Sequence, residues 1–287
     1  MTTSILEKIL DDPDALSVRF QPIFRLRAGV SQVDSVEGLI RGPRATNFER
    51  ADILFDYVRR KHAEAAVDRS CIVAICKAVL ELPPELRINV NVHASTLGHN
   101  PGFADFFRRQ ARNLSLSLDR FTLEIVEHAP TYNIPSLTCS IRALRDLGVR
   151  IALDDVGLGN SNYRMILDCH PDYFKLDAYF AKGVTHDADR RAVVRSVMCL
   201  AEEMKGSVVA EGVQSSEDLA TLGQMGVELF QADLLCPAMQ VHDLAAKGFV
   251  GLKMGSTPAT RVAENVQAFE RARQKLLEPA AKQPLCQ

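Results

Sequence analysis

The residues best suited to chemistry are acidic, and they recur at the ends of β-rich runs. They are Glu37, Glu124 with Glu127 close behind it, the adjacent pair Asp154 and Asp155, and Glu211. Asn91, Lys175 and Gln231 hold equivalent places at the ends of three other runs. If these ends converge on one mouth, so many carboxylates cannot all stay ionised without a counter-charge, and one lysine is too little. Hard divalent cations supply it, since Mg²⁺ or Mn²⁺ prefers carboxylate, amide oxygen and water. Asp154 and Asp155 stand where the chain leaves strand geometry, so each could reach a different ion or one could bridge both. Two ions about 4 Å apart clamp the attacking and leaving oxygens of a phosphodiester displacement. Lys175 suits a place near the ion-bound water or the phosphate.

Taken singly, an Asp-Asp pair or a Glu at a strand end is most often a helix cap or a solvated loop acid. Their recurrence at successive strand ends is what caps do not explain. His93 and His128 adjoin this set and could be ligands, but oxygen donors are already ample and neither has zinc-motif spacing, so supporting roles fit them better. Ser161, within GLGNSN, lacks the GxSxG surround of a nucleophile and reads as a turn residue.

The elements that must position these residues alternate. β-rich runs at 18–25, 32–41, 86–92, 120–126, 149–153, 172–176, 207–211 and 227–231 are interleaved with helix-period stretches. The latter cover 49–60, 62–82, 102–113, 136–147, 160–168, 189–205 and 215–225. The first two runs are separated by Leu26–Ser31, a spacing that predicts a hairpin. In 189–205 the inward stripe reads as Ala192, Val193, Val197, Leu200, Ala201 and Met204. Gly148, Gly206 and Gly226 stand where helix-stop glycines belong. Strand, helix, strand with short connections predicts an α/β fold of parallel strands and helical crossovers. About eight strands point to a closed TIM-type (β/α)8 barrel over 18–250, modified by the opening hairpin, and functional residues then gather at the strands' C-terminal ends. An open doubly wound sheet is the alternative, although no GxGxxG or P-loop follows any strand. A short amphipathic helix is expected within residues 1–17. A linker and an amphipathic helix at 261–277 are expected within the tail, 251–287.

Composition narrows the function classes. A formal net charge of −2 gives no basic field for a nucleic-acid polymer, and the absence of Trp with 6% aromatic residues argues against a base-stacking surface. No apolar run approaches the roughly 20 residues of a membrane span, so membrane insertion is not expected. The acids inside the first apolar stretch do not fit a secretion signal. Seven cysteines, an odd number with no CxxC pair, read as reduced, packed thiols of a cytoplasmic protein.

At these residues the sequence resembles the EAL-domain family, the bacterial cyclic di-GMP phosphodiesterases. FQPIF (20–24) is similar to the family's opening strand, and EGLIR (37–41) stands where its ExLxR signature is expected. NVHAS (91–95), LEIVE (123–127), DDVGLGNSN (154–162), FKLD (174–177), AEGV (210–213) and FQADLLCP (230–237) resemble its later motifs, in order and at family-like spacing. The resemblance runs from about Val18 to Leu244. It implies a barrel with one antiparallel strand, a site for two Mg²⁺ or Mn²⁺ ions, and hydrolysis of cyclic di-GMP to linear pGpG.

Carried over residue by residue, the resemblance implies that Glu37, Asn91, Glu124 and Asp154 bind one metal ion. Asp154 and Asp155 serve the second, with Glu211 nearby. Lys175 holds or helps activate the attacking water, and Glu211 is the candidate base. Glu127 braces the 154–162 loop. Gln231 reaches the metal-site water, and Gln21, Leu39, Arg41 and the Asp233–Pro237 segment meet the ligand. A homodimer formed through the loop is implied, and a sensory or effector protein partner is left open.

The chain departs from the family at several points. Gly38 replaces the signature alanine, which is expected to loosen the backbone beside Glu37. Val156, Leu158 and Asn160 alter the loop, and Gln214 replaces an acid. Ala232 and Asp233 replace a glycine and an aromatic residue. Asp233 cannot stack a guanine but could accept a hydrogen bond from its N–H groups. No expected metal ligand is lost, which favours an enzyme over a catalytically silent cyclic di-GMP receptor or protein-binding module. A barrel acting on another phosphodiester is a third reading.

Overall fold

All eight expected strands form in a computed structural model that describes residues 4–27, 30–126, 133–158 and 163–246. They are β1 (Ser17–Arg27), β2 (Val30–Arg41), β3 (Arg87–His93), β4 (Phe121–Val126), β5 (Arg150–Val156), β6 (Tyr173–Leu176), β7 (Ser207–Glu211) and β8 (Leu229–Gln231). They close into a barrel in chain order, which excludes the open doubly wound sheet. β1 runs antiparallel to both β2 and β8, and every other neighbouring pair is parallel. The one reversed strand follows from the hairpin, because a connection of a few residues can join only antiparallel strands.

Outside the barrel lie α1 (Ile5–Asp11), α2 (Ala51–Arg60), α3 (Glu64–Ala78), α4 (Ala94–His99), α5 (Phe103–Asn113) and α6 (Ile134–Asp146). They are followed by α7 (Tyr163–Cys169), α8 (Ala178–Ala181), α9 (Ala188–Glu203), α10 (Ser216–Gln224) and α11 (Val241–Ala246). The helices α4, α8 and α11 were not expected, since each is too short to show a period. α1 is fixed by a capping box, with Ser4 Oγ accepting from Glu7 N at 3.2 Å and Ser4 N donating to Glu7 Oε2 at 2.7 Å. Its Ile9 is fully buried.

Two local expectations need correction. The inward face of α9 is Val194, Val197 and Ala201, with Leu200 and Met204 beside them, whereas Ala192 and Val193 face solvent. The spacing 194, 197, 201 is the true i, i+3, i+7 row, and Val193 was assigned by type rather than by phase. Gly148 and Gly226 do stop their helices with φ of 86° and 97°, but after α9 the left-handed residue is Lys205, at φ 59°. Gly206 is needed for another reason, since a Cβ there would lie 2.6 Å from Phe174 Cε2.

Strand alternation sorts the barrel interior into two layers. The lower layer holds Ile23, Ser35, Asn89, Thr122, Tyr173, Val209 and Leu229. One pleat repeat toward the mouth stand Gln21, Glu37, Asn91, Glu124, Lys175, Glu211 and Gln231, joined by Asp154 on β5. Each upper residue other than Asp154 is two positions from a lower one, and in β1 the sign of the step is reversed because the strand is reversed. Ile23, Val209 and Leu229 form a small apolar plug beneath the polar layer. Below it Asp34, extruded where the β1–β2 register shifts, takes Arg25 Nη2 at 2.9 Å and Arg87 Nη2 at 2.5 Å. Apolar residues on the strands' outward faces, among them Phe121, Leu123 and Ile125, join the main core under the helices.

Candidate functional site

Two adjacent residues of a regular strand point to opposite faces, so Asp154 and Asp155 could share a site only if the strand broke there. It does. The β5–β6 register shifts between Leu153 and Val156, and Asp155 takes φ 51°. A left-handed non-glycine residue costs on the order of 1–2 kcal/mol, least for Asp and Asn. The turn brings Asp155 back to the interior, where carboxylate oxygens of Asp154, Asp155 and Glu211 all lie within 4.8 Å of one another. Gly157, at φ 96°, completes the turn against Phe180. The altered loop residue Val156 is buried and Leu158 packs on the core. Glu127, His128, Asn160, Ser161 and the whole tail from 247 lie outside the described residues.

Lys175 is the hub of the cluster. It is 2% exposed, and its Nζ lies 2.6 Å from Glu124 Oε2, 2.8 Å from Glu211 Oε1, and 3.3 Å from both Glu37 Oε2 and Asp154 Oδ1. Carboxamides hold both oxygens of Glu37 and the second oxygen of Glu124. Asn91 Nδ2 donates to Glu37 Oε1 at 2.5 Å, and Gln231 Nε2 donates to Glu37 Oε2 at 2.6 Å. Asn89, one layer down, donates from Nδ2 to Glu124 Oε1 at 2.6 Å.

One lysine among this many acids divides them electrostatically. Burial pushes Lys175 down, but Asp154, Glu124, Glu211 and Glu37 outweigh it and hold the ammonium well above its ordinary value. Burial pushes Glu37 up, yet Lys175 and the hydrogen bonds from Gln231 and Asn91 keep it below the usual carboxylate range. Glu124 goes the other way, raised well above that range by burial and by the charge of Glu37, against Lys175. Burial and the charges of Asp154 and Glu37 lift Glu211 to about 8 despite Lys175. Burial, Asp154 and Asp177 lift Asp155 to about 6. Protons are thus held where positive charge is in short supply, and a divalent cation would displace them.

The donor set fits such ions. It consists of carboxylate and carboxamide oxygens, hard ligands of the kind Mg²⁺ and Mn²⁺ take, gathered around Lys175. Asp154, Asp155 and Glu211 form a compact trio, and Glu37, Glu124 and Asp154 each lie within 3.3 Å of Lys175 Nζ. Gln231 Oε1 is buried without a hydrogen-bond partner among the described residues, as an acceptor kept for a bound water would be.

Two hollows flank the cluster. One, of about 430 Å³, is walled by Glu37, Leu39, Arg41, Phe55, His93 and Asp154, among others. The other, of about 540 Å³, is walled by Gln21, Asp177, Glu211, Gln214, Gln231 and Asp233, among others. Leu39 and Arg41 line the first. Gln21 and Asp233 belong to the second, where Gln21 Nε2 donates to Asp233 Oδ1 at 3.0 Å. Pro237 stands outside both walls, exposed in a segment whose Met239 pairs with Phe20.

Asn89 was missed by sequence reasoning, although its position two before Asn91 on an interior face was the available signal. His93 proves to be braced rather than a member of the acid trio. Its Nδ1 lies 2.9 Å from Asp68 Oδ1, and Asp68 Oδ2 also accepts from His93 N at 2.9 Å and Thr96 Oγ1 at 2.6 Å. Nothing in the sequence joined Asp68, on α3, to this strand end.

Gly38 does not loosen the backbone beside Glu37. It sits within the β ladder between Phe20 and Val90, and Ile75 fills the space of the missing methyl, 3.1 Å from where a Cβ would stand. Gly38→Ala alone should destabilise by about 1 kcal/mol through overpacking. Gly38→Ala with Ile75→Val should recover most of that, and urea titration of the two variants would check it.

The EAL domain family matches residues 5–238 of this chain. The cyclic di-GMP phosphodiesterase NbdA of Pseudomonas aeruginosa is 28% identical over 228 residues, covering 77% of this chain and 28% of that protein. The chain therefore spans little more than a quarter of that relative's length. A standalone versatile EAL protein from Vibrio cholerae O395, solved in its c-di-GMP bound form, has a TM-score of 0.70 at 21% identity, over 79% of this chain and 93% of that one. Klebsiella pneumoniae BlrP1, solved at pH 6 as a manganese/cy-diGMP complex, has a TM-score of 0.68 at 24% identity, over 79% of this chain and 56% of that one. The family match runs from α1 past β8, through the barrel that carries all these acids, and on that ground this chain belongs to the EAL domain family.

Proposed function

We propose that this chain hydrolyses one phosphodiester of cyclic di-GMP to linear pGpG with two bound Mg²⁺ or Mn²⁺ ions. The observation that carries the reading is one acidic cluster lying between two hollows, which suits a diester with a base on either side. Glu37, Asn91, Glu124 and Asp154 would hold one ion, and Asp154, Asp155 and Glu211 the other. Bound there, the ions supply Lewis-acid stabilisation of the phosphoryl oxygens and ease the deprotonation of water. Lys175 keeps the acids in register and offers its ammonium to the attacking water or the phosphate. Glu211, whose basicity is raised and whose side chain borders the second hollow, takes the proton of that water. Leu39 and Arg41 line one side of the ligand, and Gln21 and Gln231 the other. Glu127 keeps the loop-bracing role that the family resemblance implies.

The same reading includes a cytoplasmic location and a homodimer. No helix of the described residues is long and apolar enough to cross a membrane. Tyr163 and Leu167 are 71% and 63% exposed, one turn apart on α7 next to the 154–162 loop, and a second copy would cover them.

Incubation with cyclic di-GMP and Mn²⁺ or Mg²⁺, followed by chromatography, should yield pGpG, and EDTA should stop it. Binding of cyclic di-GMP without product under either metal would instead make the chain a receptor.

A further inference from the structure

Asp233 stands where the family resemblance would put an aromatic residue, and the expected use of its carboxylate is to read a guanine. Its observed partner is different. Asp233 Oδ1 accepts from Gln21 Nε2 at 3.0 Å, and the same Nε2 donates to Cys236 O at 3.2 Å. A carboxylate and a peptide carbonyl can only accept, so this end of Gln21 must be its NH₂. Gln21 Oε1 then faces the barrel and accepts from Gln231 Nε2 at 3.2 Å. Gln231 Nε2 also donates to Glu37 Oε2 at 2.6 Å. Both amides are thereby oriented from the turn inward, and Gln231 Oε1 is left as a buried acceptor without a protein partner among the described residues. The side chain of Gln231 is nine-tenths buried or more, so a reversed amide would set its oxygen against the Glu37 carboxylate with no water to screen it. The strand register supplies the spacing, with Gln21 opposite Glu37 and Glu211 opposite Gln231.

We propose that Asp233 is a positioning residue that acts through Gln21 and Gln231 to hold Glu37 in its cation-binding orientation, and that it does not select the base. Gln21, with both ends of its amide engaged, is the middle of that chain. The proposal rests on the divalent-cation reading of the cluster but not on turnover.

The test is Mn²⁺ affinity measured by titration calorimetry on the full chain without nucleotide. Partners that orient metal ligands typically contribute 10–100-fold to affinity. Two side chains separate Asp233 from Glu37, and Cys236 O remains, so Asp233→Ala should weaken Mn²⁺ binding about fivefold. Asp233→Asn keeps an acceptor and should bind Mn²⁺ within about twofold of the parent, which a loss caused by general disruption would not reproduce. Gln21→Ala should weaken Mn²⁺ about tenfold, and adding Asp233→Ala to it should cost nothing more, because the link is already cut. The preference for cyclic di-GMP over cyclic di-AMP in equilibrium binding should be unchanged in both Asp233 variants. Unchanged Mn²⁺ affinity in Asp233→Ala, or additive losses in the double variant, would overturn the proposal. So would a shifted base preference in either Asp233 variant. A parent chain that makes no pGpG while its Mn²⁺ affinities follow this pattern would reject the phosphodiesterase reading and leave the positioning role supported.

Discussion

Glu37→Ala is expected to lower turnover of cyclic di-GMP by more than about 100-fold, because under the proposed mechanism it deletes a metal ligand, where even loss of a ligand's supporting partner costs 10–100-fold. Each oxygen of Glu37 is already directed, one by Asn91 and the other by Gln231 and Lys175. Its carboxylate is also held ionised by those contacts, so it offers a full negative charge without first losing a proton. Alanine removes the charge and leaves the two carboxamides without their shared acceptor. Folding should survive, since Lys175 retains Glu124, Asp154 and Glu211 as partners. The check is kcat with saturating Mn²⁺ beside a thermal melt of the same sample. A folded variant that loses less than tenfold would remove Glu37 from the metal site.

Lys175→Met should have the largest effect on stability. Methionine matches the length of the stem but leaves the four carboxylates around Nζ without their shared cation. Breaking a buried pair by removing one partner costs about 3–5 kcal/mol, since the remaining charge stays buried. The acids can escape part of that cost by taking protons, which fixes the direction of the pH dependence. Glu211 titrates near 8 in the folded chain, above its ordinary 4.5. Between those values the folded state holds a proton that the unfolded state has released, so its contribution to stability falls as pH rises through that window. Removing Lys175 lifts these acids further. Urea titrations without divalent cation should therefore show the variant's deficit growing from pH 5.5 to pH 8.5. Millimolar Mn²⁺ should restore stability most at the higher pH, because bound protons compete with it least there. Turnover should not return with it. A deficit that shrinks as pH rises would show that Lys175 is not the counter-charge of this cluster.

The barrel was legible because its signals are repetitive. Eight runs of β-forming residues, separated by amphipathic stretches, admit few closures, and the short Leu26–Ser31 spacing dictated the one reversal. The acids were legible as a set for the same reason, each lying near the end of such a run. What stayed hidden depends on phase and on contacts distant in sequence. Asp155 reaches the cluster through a left-handed turn that residue types do not announce. The brace from Asp68 to His93 links positions 25 apart on different elements. Asn89 could have been read from its interior phase, as Val194 could on α9, and both were missed by weighing residue type over periodicity. The effect of Gly38 was misjudged because its neighbour Ile75 belongs to a helix packed on the opposite side of the strand.

The reversal of β1 also changes which rim of the barrel the preceding chain joins. In an all-parallel barrel the first strand starts at the rim opposite the strands' C-terminal ends. Here β1 begins with Ser17 paired to Arg41, on the rim of the mouth, and runs downward through Gln21. Residues 4–16 are thus spliced onto the barrel four positions from a side chain of the polar layer, and Asp14 among them is tied to Lys77 of α3 at 2.6 Å. A mechanical load applied to that segment would arrive first at the edge carrying Gln21 and Arg41, without having to cross the barrel.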